Sequence, residues 1–298
     1  MSEEQKLVTT KELVEKVEEI TGSTLISFLT RPPGAIDEQS VFLLVDNLEN
    51  AQPKEKGKLK KFKKLSLFLN STGGNLDSAK KIADLCRSMS EEFVVIVPVM
   101  AKSAATLTAI GADEIVMPFV AELGPIDPII IDPSNPNTRV PARSIYDFLE
   151  AISGKSTEGK LSPEVVAILV NKLDPFIIGA YKTAMDASLS AATEFLMKYQ
   201  KMEASKAKAI ANKLTYESYS HSYAISKDQA EHEYNLRVQK AVSDELATAI
   251  KLLYLNYANI MNQNQLVVLS GTRDINRFST LLPTPGGVNS GAPIRTEL

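Results

Sequence analysis

Apolar and polar positions alternate in two rhythms through the first 120 residues. Continuous apolar runs at 65–69 and 93–97, and a shorter one at 114–117, are too brief for helices. They read as strands buried on both faces. Between the first two, Leu76, Ala79, Ile82, Ala83, Cys86 and Met89 fall on one stripe at helical spacing, which predicts a helix over 76–89. Asn75 stands at its start as a cap, and Asp77 suits its positive end. A short apolar helix is predicted over 104–110, closed by Gly111. Residues 8–19 predict another helix, with Leu13, Val14 and Val17 near one face and Thr9 or Thr10 as its cap. Residues 24–29 and 41–45 read as strands, separated by the turn Arg31-Pro32-Pro33-Gly34. Strands alternating with helices predict an α/β fold.

Beyond position 120 the rhythm changes. Ala121 to Pro128 is a Gly- and Pro-flanked loop around Asp127, and 132–141 is an irregular stretch with three prolines. Helices are predicted over 143–152, 162–173, 175–201 and 204–213. A Ser- and Tyr-rich break follows at 214–224, and 226–261 reads as one long amphipathic helix carrying Leu236, Leu246, Ile250, Leu253 and Tyr257. From about Gly271, proline and glycine dominate and predict a mobile tail.

Composition narrows the function classes. With 44% hydrophobic residues, the 298-residue chain has ample material for a core. A net charge of −3 gives no global field toward nucleic acid. Residues 54–64 hold seven lysines and one glutamate, but Phe62 is the only aromatic among them, so no stacking platform for bases is predicted. The run reads as a solvated connection. The single cysteine, Cys86, lies on the apolar stripe of a helix, so it reads as buried and inert, and no internal disulfide is possible. His221, His232 and Cys86 show no metal-ligand spacing, and neither metal nor cofactor is expected. The start Met1-Ser2-Glu3-Glu4 lacks a secretory pattern and no apolar run reaches bilayer length, so a soluble cytoplasmic protein is expected.

Two segments carry candidate chemistry. Asn70-Ser71-Thr72-Gly73-Gly74 and Ala101-Lys102-Ser103-Ala104-Ala105-Thr106 each follow a strand and open a helix. Acyl transfer needs a nucleophile and N–H donors aimed at the developing oxyanion. Gly73 and Gly74 permit positive φ and close approach of a substrate. Ser103 at the mouth of a helix has free N–H groups beside it. The same serine could serve as an ordinary helix cap, and the two glycines as a tight turn.

These segments, with Ala112-Asp113-Glu114-Ile115-Val116-Met117 and Leu123-Gly124-Pro125-Ile126-Asp127-Pro128, resemble the serine dehydrogenase proteinase family of the Clp-protease/crotonase-like superfamily. The resemblance spans about 40–230. It implies a crotonase-like (Clp protease) fold of stacked β-β-α units with a helical C-terminal region. Residues 1–39 are then an N-terminal helix and strand, 40–225 the protease core, 226–270 a long C-terminal helix and 271–298 the tail. It further implies a serine peptidase with Ser103 as nucleophile, an oxyanion hole from the turn at Gly73 and Gly74 and from Ala104, and His221 as general base. Asp127 and Asp174 both remain open as the aspartate that orients the base, and each also fits a turn or cap. A side chain at Gly74 is expected to intrude where the scissile carbonyl sits. Val99, Lys102, Ala105, Ile129 and Ser222 depart from residues usual in the family. Lys172 and Lys182 stay open as bases of a Ser-Lys pair, and Lys102 less so, because a neighbour in sequence rarely folds back onto its own serine. The implied partners are a peptide or protein substrate and further copies of the chain. The alternatives are an inactive scaffold of the same fold and an acyl-CoA enzyme using the same two-amide hole.

Overall fold

The computed structural model describes residues 9–118, 120–132, 135–152, 162–170, 175–217, 223–264, 266, 268–272 and 276–279. The chain forms two compact units, Met1–Leu123 with Ala224–Leu298, and Gly124–Tyr223.

The first unit begins with α1 (Thr10–Thr21), β1 (Thr24–Thr30) and α2 (Glu38–Ala51). It continues through β2 (Lys54–Glu55), β3 (Lys58–Leu59), β4 (Phe62–Asn70), α3 (Leu76–Met89), β5 (Ser90–Ile96) and β6 (Met100–Ala101). Helix α4 (Ala104–Ile110), β7 (Glu114–Val116) and β8 (Glu122–Leu123) complete its first passage. The second unit holds β9 (Ile129–Asp132), β10 (Asn135–Pro141), α5 (Ala142–Ile152), α6 (Pro163–Val170), α7 (Pro175–Lys198) and α8 (Ala204–Thr215). The chain returns to the first unit with β11 (Ile225–Ser226), α9 (Lys227–His232), α10 (Asp244–Gln263), β12 (Val268–Gly271) and β13 (Asn276–Ser279).

A six-stranded sheet in the order β13-β12-β1-β4-β5-β7 organises the first unit. Strands β1, β4, β5 and β7 run parallel, and β12 and β13 add antiparallel to one edge. Successive residues of β4 point to opposite faces, and both faces are covered over 65–69, which is why that part of the strand is apolar at every position but Ser66. On one face Leu25, Leu29, Phe68, Val94, Ile96 and Leu269 pack with Val14 and Val17 of α1 and Leu253 and Tyr257 of α10. Helices α2 and α3 pack against the sheet as well, with Leu44, Leu48, Ile82 and Ala83 buried. A second sheet, β11-β8-β6, stands beside the candidate serine.

Four elements differ from the sequence reading, one of them the stretch 132–141, read as irregular, where Asn135–Pro141 forms β10 and pairs antiparallel with β9. Residues 41–45 are not a strand but lie in α2. A capping box between Asp37 and Ser40 starts that helix, and Val41, Leu44 and Leu48 then bury at helical spacing. The helix read over 226–261 is two helices. Asn235 adopts φ 52, and Val238 bridges to Ile115 of β7 before Ser243 caps α10. The tail is not wholly irregular, since β13 pairs with β12, while 280–298 lie outside the described residues. The apolar stripe of α10 is covered by the unit's own sheet and α1. The lysine-rich segment forms the exposed hairpin β2–β3, where Lys60 pairs with Glu55, and beyond it Lys64 pairs with Glu92.

In the second unit, β9 and β10 pair antiparallel and α7 packs on α8. Glu203 caps α8 through Ser205 and Lys206. Among the described residues, no helix is long and apolar enough to cross a membrane.

Candidate functional site

The two strand-turn-helix segments singled out in the sequence meet within the first unit. Main-chain hydrogen bonds stitch them together: the Ser71 N–H donates to Met100 O at 3.0 Å and the Lys102 N–H to Ser71 O at 3.0 Å. The side chain of Asn70 accepts from the Met100 N–H at 3.1 Å. The Ser71 hydroxyl, fully buried, shares a 2.7 Å hydrogen bond with Thr30 and accepts from the Gly73 N–H at 3.0 Å. These contacts fix the 70–74 turn against the start of α4.

Gly73 and Gly74 adopt φ +108 and +151, both in the region that disfavours side chains. Their surroundings differ. A Cβ on Gly73 would lie 2.8 Å from Ser103 Cβ and from Lys102 O, so this glycine lets the turn sit directly against the serine. A Cβ on Gly74 would instead lie 2.2 Å from Ile36 O and 2.6 Å from Ile36 N. Gly74 is closed to a side chain by the main chain ahead of α2, not by the space where a scissile carbonyl was expected. Ile36 is held there by its N–H to Gly73 O at 2.8 Å and by the Asn75 N–H to Ile36 O at 2.7 Å.

Ser103 sits at the N-terminus of α4 with φ 51 and ψ −121 and makes no side-chain cap. A capping serine would have extended backbone and accept from the next turn. A non-glycine residue held in such a sparsely populated region costs about 1–3 kcal/mol and persists only where its surroundings over-determine it. The half-buried Ser103 side chain forms no hydrogen bond among the described residues. The N–H of Gly73 is spent on Ser71, whereas no hydrogen bond among the described residues uses the N–H of Gly74 or Ala104. The unspent Ala104 N–H at the start of α4 lies beside a serine whose hydroxyl is also unspent, while the Ala105 and Thr106 amides are already bonded to Lys102 O and Ser103 O.

A family model described as ClpP-like SDH-type serine proteinase matches residues 3–269. The chain belongs to that family. Its α/β architecture is the crotonase-like (Clp protease) fold of the family. Two proteins of Methanocaldococcus jannaschii, both named as uncharacterized, are similar to this family member. MJ0137 is 27% identical over 194 residues, covering 64% of this chain and 59% of the relative. MJ1495 is 29% identical over 168 residues, covering 54% of this chain and 48% of the relative. The chain thus spans only about half of the length of these relatives. Two structures of the 1510-N membrane-bound stomatin-specific protease are also similar. A serine-to-alanine variant is 13% identical with a TM-score of 0.36, over 71% of this chain and 74% of that one. A lysine-to-alanine variant in complex with a substrate peptide is 12% identical with a TM-score of 0.41, over 74% and 75%.

The remaining candidates of this ClpP-like chain are placed as follows. Asp127 is buried in the second unit, where its neighbour Ile126 donates to Leu214 O at 2.8 Å. His221, Asp174 and Lys172 lie outside the described residues. Lys182 is exposed on α7 and pairs with Asp186 at 3.3 Å, whereas a lysine base requires a desolvated amine. Lys102 turns its ammonium to Leu123 O at 3.1 Å and Glu122 Oε1 at 2.7 Å. His232 is exposed at the end of α9. The Cys86 thiol is fully buried and burial pushes it up to about 12, which leaves no thiolate for chemistry. Sequence reasoning missed Ile36, Thr30 and Ser71 as the residues that shape the turn. The Asn-Ser-Thr-Gly-Gly string signalled the turn, but their pairing across β1 and β4 has no local signature.

Proposed function

We propose that this chain is a serine peptidase acting through a Ser103 acyl-enzyme. The observation that carries this reading is the Ser103 backbone at φ 51 and ψ −121, with its hydroxyl unspent on any cap. A strained serine at a helix mouth, pressed against a glycine turn, presents its oxygen outward and leaves amides around the attacked carbonyl. In this mechanism His221 takes the Ser103 proton as the oxygen attacks the peptide carbonyl. The tetrahedral oxyanion rests on the amides of Gly74 and Ala104. His221 then gives the proton to the leaving amine, and water repeats the sequence to release the acid. Asp127 or Asp174 orients the imidazole. Gly73 does not donate in this scheme; its amide holds Ser71 and its missing side chain admits Ser103.

Turnover of a small ester and of an unfolded protein substrate tests the scheme. Ser103→Ala and His221→Ala should each lower kcat by several orders of magnitude, and Lys182→Ala should leave it unchanged. A harmless His221→Ala would remove the histidine from the mechanism, and an unimpaired Ser103→Ala would remove the serine.

A further inference from the structure

The lysine that precedes Ser103 takes no part in the proton relay proposed above, yet it is buried. Lys102 is 8% exposed and its ammonium is bound by Leu123 O at 3.1 Å and Glu122 Oε1 at 2.7 Å. Burying an ammonium is expensive unless it is paired and hydrogen-bonded. A small apolar residue at 102 would avoid that cost, so the placement needs a reason. Lys102 is fixed on three sides. Its N–H donates to Ser71 O at 3.0 Å, its carbonyl accepts from the Ala105 N–H at 2.9 Å, and its side chain reaches β8. Strand β8 is itself in parallel register with β6, Met100 opposite Glu122 and Ala101 opposite Leu123. The Glu122 N–H donates to Val99 O at 2.9 Å. The residue that follows this anchorage is the strained one, Ser103.

We propose that the Lys102–Glu122 pair is a clamp that holds Ser103 in its strained backbone conformation and thereby aims its hydroxyl. Lys102 and Glu122 are then positioning residues, and their effect on chemistry rests on the serine peptidase reading. The clamp itself rests on the geometry alone. A plain tie between β6 and β8 would contribute the same stability whatever residue occupied position 103. A clamp works against the strain at 103, so releasing it returns that strain. Glycine adopts positive φ freely, so Ser103→Gly removes the strain in advance.

Two measurements on the full-length chain test this. In the first, Lys102→Met is made in the wild-type and the Ser103→Gly backgrounds, and denaturant unfolding of all four proteins closes a cycle. The clamp predicts that Lys102→Met lowers the folding equilibrium constant at least about fivefold more in the Ser103→Gly background. Equal losses in both backgrounds overturn it. Glu122→Ala carries the same cycle if Lys102→Met does not fold. In the second, the rate of fluorophosphonate labelling and the turnover of a small ester are followed. Lys102→Met should lower labelling rate and kcat about 10- to 100-fold with KM within about twofold. Glu122→Gln, which keeps an acceptor for the ammonium, should stay within about threefold of the wild type in labelling rate and kcat. Unchanged labelling by Lys102→Met overturns the positioning role. A wild-type chain that never labels overturns the serine reading instead, and the stability cycle still decides the clamp.

Discussion

Replacing Gly74 with alanine separates folding from chemistry at this site. The new Cβ would fall 2.2 Å from Ile36 O, 2.6 Å from Ile36 N and 2.8 Å from Ile36 C. All three atoms are main chain, so no flexible side chain can swing aside. Ile36 must move, and the two hydrogen bonds that hold it, to Gly73 O and from the Asn75 N–H, are stretched or broken. At about 1 kcal/mol for each bond and about 1–3 kcal/mol for overpacking, the loss comes to about 3–5 kcal/mol. For a domain of this size that corresponds to a fall in Tm of roughly 6–20 °C. Gly73→Ala should behave differently, because its Cβ would press on Ser103 Cβ and Lys102 O, 2.8 Å away. It should lose fluorophosphonate labelling even at temperatures where the protein is folded. Circular-dichroism melts and labelling at 10 °C read the two effects apart. A Gly74→Ala protein melting within 2 °C of the wild type would refute the contact reasoning. A Gly73→Ala protein that labels normally would show that the turn does not press on the serine.

Three further outcomes follow from groups away from the turn. Cys86 should resist a maleimide at pH 8 in the native protein and react once the chain is unfolded. Its thiol is raised to about 12, so the stability that burial of the neutral form contributes is complete below about pH 9 and is lost as pH rises toward 12; rapid native labelling would contradict its burial. Burial likewise pushes the Tyr257 hydroxyl up to about 12; the Ser27 hydroxyl offsets part of that shift, yet among the described residues neither hydroxyl completes a hydrogen bond. Tyr257→Phe should therefore be neutral or stabilising by up to about 2 kcal/mol in denaturant unfolding, and a loss of that size would reveal a hydrogen-bond partner. Glu203 is held below the usual carboxylate range by Ser205 first and then by the α8 amides, so its contribution is present above about pH 4.5 and lost as pH falls through its lowered value. Amide exchange at the start of α8 should quicken in that acid window and become flat with pH in Glu203→Gln; identical profiles would refute the cap.

The parallel half of the fold was legible because each signal was local. The apolar runs at 65–69 and 93–97 lie within β4 and at the end of β5, and the stripe from Leu76 to Met89 is α3 with Asn75 as its cap. Helix α4 follows Ser103 as read. Residues 41–45 misled because a five-residue apolar run has no period of its own, and the deciding cue was the Asp37–Ser40 box ahead of it. The break after His232 depends on Asn235 in a left-handed conformation and on Val238 finding β7, a pairing between distant segments. At the site, Ser103 and the two glycines were legible as a motif. Which glycine faces the serine was not, because that depends on where Ile36 lies in space. The Lys102–Glu122 pair was equally hidden, since only the register of two two-residue strands brings it together.

The central claim is that Ser103 is the nucleophile of this ClpP-like chain, and adduct mapping tests it most directly. The native protein is treated with a fluorophosphonate probe, digested, and the modified residue located by mass spectrometry. The account predicts one adduct, on Ser103, absent after denaturation before treatment and absent in Ser103→Ala. An adduct on any other serine, or equal labelling of Ser103→Ala, would contradict it.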